Sequence, residues 1–149
     1  MLGLIQRVRS ASVTVADEVV GSINQGLLLL LGVEKDDDIA HADKLLQKIL
    51  NYRVFADADG KMNLSLRDVQ GGLLVISQFT LAASTDKGLR PSFSSAKPPL
   101  EAEQLYDYFL NASAAAHAKV AAGCFGADMQ VALVNEGPVT FWLQTGGSS

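Results

Sequence analysis

The chain contains an unbroken apolar run at residues 27–33, Leu27-Leu28-Leu29-Leu30-Leu31-Gly32-Val33. The run has the length of one strand, and it is too short to span a bilayer, which takes about 20 apolar residues. Apolar residues at successive positions are typical of a strand that is covered on both faces. The run therefore predicts a strand in the centre of a sheet.

Two more strands are predicted upstream of this run. From residue 4 to residue 15 two sets of side chains alternate, which is the pattern of a long strand with two distinct faces. Asp17 and Glu18 predict a turn into a second strand at 19–23, and Asn24-Gln25-Gly26 predicts a turn into the apolar run. Because tight turns join antiparallel neighbours, much of the sheet is expected to be antiparallel.

Two helices are predicted downstream. Asp37 or Asp38 is expected to cap the first, and Asp36, Asp37 and Asp38 together are interpreted as a solvated helix start. Apolar residues recur at helical spacing in both segments: Ile39, Ala42, Leu45, Leu46, Ile49 and Leu50 in the first, and Leu105, Phe109, Ala112 and Ala116 in the second. Each helix can therefore place an apolar face on the sheet.

Further strands are expected at 52–55, 73–79, 129–134 and 139–144, the last two joined by Asn135-Glu136-Gly137-Pro138. Residues 82–99 form a long irregular segment, and such segments are usually functional or mobile. The predicted fold is α+β, with mostly antiparallel or mixed β-sheet layers covered by two main helices on one face.

The composition favours one domain. Of the 149 residues, 48% are hydrophobic and 19% are charged, which argues against disordered and fibrous classes. We expect a domain at 1–145 and a flexible tail at 146–149. A single cysteine, Cys124, excludes an internal disulfide and fits a reducing compartment, and the N-terminus lacks the pattern of a signal peptide. A cytoplasmic protein with no membrane partner is predicted.

The charge balance limits the partners. Twelve basic residues stand against 16 acidic ones, for a net charge of -4. This argues against DNA binding and against tight non-specific RNA binding, but brief recognition of a nucleic-acid end needs few phosphate contacts. Lys87, Arg90 and Lys97 in the irregular segment are the candidates for such contacts.

Several residues that could carry chemistry are given a structural interpretation. His41 and His117 fall in helical patterns, and Cys124 is expected to be a buried structural thiol. Asp57-Ala58-Asp59-Gly60 resembles the opening of a calcium loop, but the later ligands are missing and a hairpin turn explains it better. No metal-ligand spacing or phosphate-binding loop occurs, so neither a metal nor a cofactor is predicted.

Two segments are less easily explained by structure. Ser77-Gln78-Phe79-Thr80-Leu81 places polar side chains at the end of a buried strand, where unpaired backbone N–H groups can bind an oxyanion. The alternative is a strand end with satisfied polar groups. Asn135-Glu136-Gly137-Pro138-Val139-Thr140 contains a Gly-Pro step, which between strands is most often only a turn.

Together these segments resemble the D-aminoacyl-tRNA deacylase family, historically the D-tyrosyl-tRNA deacylases. Four more pieces match in the same order: Gln6-Arg7-Val8, Gly60-Lys61-Met62-Asn63-Leu64, Arg90-Pro91-Ser92-Phe93 and Leu105-Tyr106-Asp107-Tyr108-Phe109. The resemblance implies a homodimer with active sites at the subunit interface. It also implies hydrolysis of the ester between a D-amino acid and the 3′-terminal adenosine of tRNA. In the family the Gly137-Pro138 peptide is cis and reaches into the partner subunit's site.

The resemblance assigns substrate binding to Gly137, Pro138 and Arg7. Two carbonyl oxygens aimed into a pocket would accept hydrogen bonds from the substrate ammonium, with Arg7 as the donor that orients them. A D side chain would then point outward, whereas an L side chain would strike the Gly-Pro backbone. Because glycine has no side chain, glycyl-tRNA is also expected to be hydrolysed to some degree.

The catalytic residues implied are Ser77, Gln78, Phe79 and Thr80. Thr80 stands where a nucleophile would be, but no base adjoins it in the sequence, so direct attack by water is preferred. The N–H groups of Phe79 and Thr80 would stabilise the oxyanion, Gln78 and Ser77 would shape the site, and the ribose 2′-hydroxyl would assist proton transfer. Two alternatives stay open: a general esterase acting on small D-configured esters, and a non-catalytic dimeric tRNA-binding module.

Overall fold

The structure, a computed structural model, describes residues 1–146. Apart from Gly146, the predicted tail lies outside the described residues. In chain order the elements are β1 (Leu2–Val15), β2 (Glu18–Ile23), β3 (Gly26–Gly32), α1 (Ile39–Asn51), β4 (Phe55–Ala56), β5 (Met62–Leu64), α2 (Leu66–Val69), β6 (Gly72–Ser77), a 3₁₀ helix (Phe79–Ala82), α3 (Pro99–Ala116), β7 (Val120–Ala122) and β8 (Gln130–Gln144).

Within residues 1–146 the main sheet has six strands in the order β2-β1-β3-β6-β7, with β8 paired to β1. β1 is antiparallel to β2, β3 and β8, whereas β6 is parallel to both β3 and β7. The prediction of an α+β fold with a mixed sheet is confirmed. The apolar run forms β3, which lies in the centre of the sheet as expected.

Both faces of the sheet are covered, which explains the unbroken apolar run. On one face Leu27, Leu29 and Leu31 pack in a cluster with apolar residues of α1 and α3. On the other face Leu28 packs with residues of β1 and β6. This second cluster is enclosed because the sheet curls until β2 meets β7: a Cβ built on Gly21 would lie 2.8 Å from the Ala122 carbonyl oxygen.

Four predictions of where strands and helices begin or end need correction. The predicted strands at 129–134 and 139–144 are parts of one strand, β8, so the Gly-Pro step interrupts a strand rather than joining two. The strand predicted at 73–79 ends at Ser77. The strand predicted at 52–55 is reduced to Phe55–Ala56, because its pairing with β5 closes around the turn at 57–60. The helix predicted around Leu105 begins earlier, at Pro99, which suits a first helical turn.

The predicted roles of three polar side chains also change. Asp38 caps α1, but Asp37 is buried rather than solvated and accepts a hydrogen bond from the Glu34 N–H at 2.7 Å. Cys124 is exposed rather than buried, since it follows β7 on a surface loop. His117 lies just past the end of α3, where it contacts the Gly71 carbonyl oxygen at 2.6 Å.

The hairpin at residues 57–60 forms as predicted. Asp57 accepts hydrogen bonds from Asn63 Nδ2 at 2.8 Å and from the N–H groups of Lys61 and Asp59. The bond from Asn63 is the main reason that the pKa of Asp57 is lowered. Among the described residues no cluster of His, Cys, Asp and Glu is placed to hold a metal, and none of the helices is long and apolar enough to cross a membrane.

Candidate active site

The first part of the site is the carboxyl end of β6. The Gln78 N–H still donates to the Leu31 carbonyl oxygen of β3 at 2.8 Å, and the backbone then turns into the 3₁₀ helix at Phe79. Within residues 1–146 the backbone N–H groups of Phe79 and Thr80 donate to no acceptor. The first N–H groups of a helical turn have no partner inside it, so these two are free to bind an oxyanion.

The Thr80 hydroxyl has no base beside it. Its hydrogen bond in the described part of the chain comes from the Gln78 side-chain amide, whose Nε2 donates to Oγ1 at 2.5 Å. His41 belongs to the cap of α1, and His117 contacts the Gly71 carbonyl oxygen. The structure therefore brings Gln78 to Thr80 but brings neither histidine there.

A cavity of about 600 Å³ opens beside this strand end, and Ser77, Gln78 and Phe79 form part of its lining. Most of the remaining lining is apolar, and two pairs of aromatic rings contribute to it. Phe79 and Phe93 have ring centroids 5.2 Å apart, and Tyr106 and Phe125 have centroids 5.6 Å apart. A cavity of this size with aromatic walls suits a flat organic ligand.

Tyr106 is a wall of this cavity and not an acid or base in it. The side chain is buried and its hydroxyl donates to the Val75 carbonyl oxygen at 3.3 Å. Burial raises the pKa of Tyr106 to about 12, so the ring stays neutral across the physiological range.

The second part of the site is a protrusion from β8. Val8 of β1 pairs with Asn135 and Gln6 pairs with Thr140, so residues 136–139 have no partner on β1. The Gly137-Pro138 peptide is cis, and Gly137 has a φ of +128°, a value that side-chain-bearing residues rarely adopt. A Cβ built on Gly137 would lie 2.8 Å from the Val139 Cγ2 atom.

Arg7 supports this protrusion from β1. Its Nε donates to the Glu136 carbonyl oxygen at 3.1 Å, and its Nη1 donates to the Val54 carbonyl oxygen at 2.7 Å. The guanidinium thus links the peptide before Gly137 to the chain leaving α1. Its planar fork of donors suits two acceptors at fixed positions.

The two parts remain separate within one chain. Ser77, Gln78 and Phe79 line the cavity, whereas Gly137 and Pro138 are exposed and do not line it. Of the predicted site residues, the structure therefore groups 77–80 at one place and Arg7, Gly137 and Pro138 at another.

Comparison with known proteins shows which family the chain belongs to. The family model for D-Tyr-tRNA(Tyr) deacylase matches residues 4–144. The chain belongs to this deacylase family. The resemblance seen in the sequence motifs is thereby confirmed.

Two curated relatives agree with this membership. The D-aminoacyl-tRNA deacylase of Cellvibrio japonicus (strain Ueda107) is 67% identical over 144 residues, which cover 97% of this chain and 99% of the relative. The D-aminoacyl-tRNA deacylase of Aeromonas hydrophila is 63% identical over 144 residues, with the same coverage.

Two solved structures are also similar. The c-Myc DNA Unwinding Element Binding Protein has a TM-score of 0.95 and 39% identity, covering 99% of this chain and 100% of its own. A probable eukaryotic D-amino acid tRNA deacylase has a TM-score of 0.83 and 17% identity, covering 97% and 98%, and at that identity supports the fold alone.

Sequence reasoning missed the aromatic wall of the deacylase cavity. Tyr106 and Phe93 lie inside motifs that resemble the family, but their spacing predicts only a helix face and a loop. Phe125 follows the exposed Cys124 on a loop with no recognisable pattern. The signal available was Phe93, an aromatic residue inside a matching motif of the irregular segment.

Proposed function

We propose that the ester of D-aminoacyl-tRNA is hydrolysed at the carboxyl end of β6. As a member of the deacylase family, the chain is a hydrolase that acts on this ester and releases tRNA and the D-amino acid. The placement rests on two backbone N–H groups that donate to no acceptor within residues 1–146, one on Phe79, which lines the cavity, and one on the adjacent Thr80. The domain at 1–145 would contain every residue that this chain contributes to the active site.

The chemical step is attack by water on the ester carbonyl. The N–H groups of Phe79 and Thr80 donate to the oxyanion as the C–O bond to water forms, and preorganised donors of this kind are usually the largest catalytic term. The bond to the ribose oxygen then breaks, and the neighbouring 2′-hydroxyl relays the proton lost by the attacking water to that leaving oxygen. Ser77 and Gln78 shape the site, and Thr80 positions rather than attacks because it lacks a base.

The cavity is assigned to the 3′-terminal adenosine of the tRNA. Its volume of about 600 Å³ exceeds that of a base and a ribose, and its aromatic walls offer surfaces for stacking. Because Ser77 and Gln78 stand at its edge, an adenosine bound there would carry its esterified ribose to the free N–H groups.

The protrusion at Gly137 and Pro138 is assigned to the active site of a partner subunit. Both residues are exposed and lie outside the cavity of their own chain, which supports a homodimer with sites at the interface. In residues 1–146, β8 pairs with β1 alone, so its other edge is free, and Val134 and Trp142 expose apolar surface on it. A long unprotected edge of this kind favours association.

A mixing experiment tests this arrangement. Gly137→Ala impairs the protrusion, and Ala127→Trp fills the cavity, so each homodimer is expected to keep about a tenth of the wild-type activity or less. In a mixed dimer one site carries both defects and the other carries neither. Random pairing would therefore restore roughly a quarter of the wild-type activity. No restoration after verified exchange of subunits would place both parts in one chain.

The protrusion would supply the chiral filter. Carbonyl oxygens near Gly137 bind the substrate ammonium, and Arg7 fixes their direction through the Glu136 carbonyl. With ammonium and ester both held, an L side chain would meet the Gly137-Pro138 backbone, whereas a D side chain would point away. The filter ignores side-chain identity, so we expect a broad range of D-amino acids and measurable hydrolysis of glycyl-tRNA.

The acceptor end of tRNA would be met by the irregular segment. Lys87 and Arg90 are exposed, and within the described residues neither forms a salt bridge. Lys97 is less available for a phosphate contact, because its Nζ donates to the Lys35 carbonyl oxygen at 3.0 Å. Few phosphate contacts suffice for a terminal nucleotide, which fits the net charge of -4. We place this activity in the cytoplasm, where aminoacyl-tRNA is used.

A deacylation time course with D-tyrosyl-tRNA and L-tyrosyl-tRNA, beside a no-enzyme control, tests the function. Loss of the D ester with the L ester intact is expected. Equal hydrolysis of both would refute the chiral filter. Equal rates on tRNA and on D-aminoacyl adenosine would favour a general esterase, and no hydrolysis of either would favour a binding module.

A further inference from the structure

The protrusion of β8 needs a second support besides Arg7. Residues 136–139 lack the hydrogen bonds that β1 would otherwise provide. The protrusion has an outgoing limb at Glu136 and a returning limb at Val139. Arg7 holds the outgoing limb by donating to the Glu136 carbonyl oxygen. Nothing in that contact fixes the limb that returns to β8 at Val139 and Thr140.

The Asn135 side chain makes the missing contact. Its Oδ1 accepts a hydrogen bond from the Val139 N–H at 3.2 Å, and its Nδ2 donates to Thr140 Oγ1 at 3.2 Å. A backbone N–H can only donate, so it determines which end of the Asn135 amide is the oxygen. Gln6 reinforces the arrangement, since its Nε2 donates to the same Thr140 oxygen at 3.3 Å.

We propose that Asn135 is a positioning residue for the chiral filter. It closes the base of the protrusion by joining the residue before Glu136 to the residue after Pro138. With Arg7 on one limb and Asn135 on the other, the carbonyl oxygens near Gly137 are held from both sides. This inference rests on the proposed function, and it adds the residue that sets how strictly L substrates are excluded.

The variants Asn135→Ala and Asn135→Asp test the proposal. Alanine removes both contacts. Aspartate keeps an oxygen for the Val139 N–H, and the Thr140 hydroxyl can donate to its other oxygen. We expect Asn135→Ala to reduce the ratio of D-ester to L-ester kcat/KM about tenfold, which lies within the combined effect of its two lost hydrogen bonds. Asn135→Asp should stay within about threefold of the wild-type ratio.

Hydrogen exchange of the Val139 amide gives a readout that does not depend on activity. In the wild-type protein this amide should be protected, in Asn135→Ala it should exchange at least about tenfold faster, and in Asn135→Asp protection should return. Asn111→Ala, an exposed asparagine on α3, is the matched control and should change neither measurement.

Two results would overturn the proposal. One is an unprotected Val139 amide in the wild-type protein. The other is a loss in Asn135→Ala that is equal for both esters and follows a lower unfolding temperature, because that would be a stability effect alone. The wild-type time course reports on the proposed function and the comparison among variants reports on Asn135, so the two failures are distinguishable.

Discussion

Replacing Thr80 with alanine separates water attack from covalent catalysis. In the structure the Thr80 hydroxyl accepts one hydrogen bond, from Gln78 Nε2, at the protein surface. A neutral hydrogen bond contributes about 0.5–1.5 kcal/mol net, which corresponds to a change of roughly two- to thirteenfold. Removal of a serine nucleophile from a protease costs about a millionfold. We therefore expect Thr80→Ala to reduce the rate about tenfold or less.

The assay is single-turnover hydrolysis of D-tyrosyl-tRNA with enzyme in excess, so that the chemical step is observed. Thr80→Ser keeps the hydroxyl and serves as the control for the lost methyl group. A decrease of three or more orders of magnitude in Thr80→Ala, with Thr80→Ser active, would refute direct water attack. Trapping of an ester on Thr80 would refute it equally.

Three other perturbations have defined outcomes. Gly137→Ala should lower D-ester kcat/KM about tenfold or more, because an alanine at a φ of +128° beside the Val139 side chain would be strained by about 1–3 kcal/mol. Gly60→Ala is the control, since Gly60 also has a positive φ, +77°, but has open space around it. Lys87→Glu with Arg90→Glu should raise the KM for tRNA roughly tenfold without changing hydrolysis of D-aminoacyl adenosine, and an unchanged KM would relocate the docking surface. Burial raises the pKa of Tyr106 to about 12, so the folded protein favours the neutral side chain. This contribution to stability is fully present below about pH 10 and is lost as the pH rises through 12. Urea unfolding should show a loss of about 2–3 kcal/mol over that interval in the wild type and a smaller one in Tyr106→Phe.

The sequence predicts the centre of the sheet well because its pattern has one physical explanation. An uninterrupted apolar run such as 27–33 must be covered on both faces, and the structure covers it with helices on one side and the curled sheet on the other. The helical spacing of residues 39–50 likewise allows one buried face, and Ala42, Leu45, Leu46, Ile49 and Leu50 are the buried residues of α1.

The errors occur where a distant segment decides the outcome. Asp37 has the sequence context of a surface cap, but it is buried beside the N-terminal ammonium of Met1, which donates to its carboxylate at 2.7 Å. Cys124 has the apolar character of a core residue, but the pairing of β7 with β6 ends at Ala122 and leaves Cys124 on the surface. Neither result is contained in the residues adjoining these positions.

The misreading of β8 has the same cause and the greatest functional consequence. A Gly-Pro step followed by apolar alternation predicts a turn between two strands, because a local pattern cannot show whether the chain rejoins its earlier partner. It rejoins β1 when Thr140 pairs with Gln6, only two positions from the Val8 that pairs with Asn135. The extra residues must then leave the sheet as a protrusion. A reversing turn would have folded Gly137 and Pro138 back over their own chain. A protrusion from a continuous strand instead presents them outward, as the proposed contact with the cavity of a second copy requires.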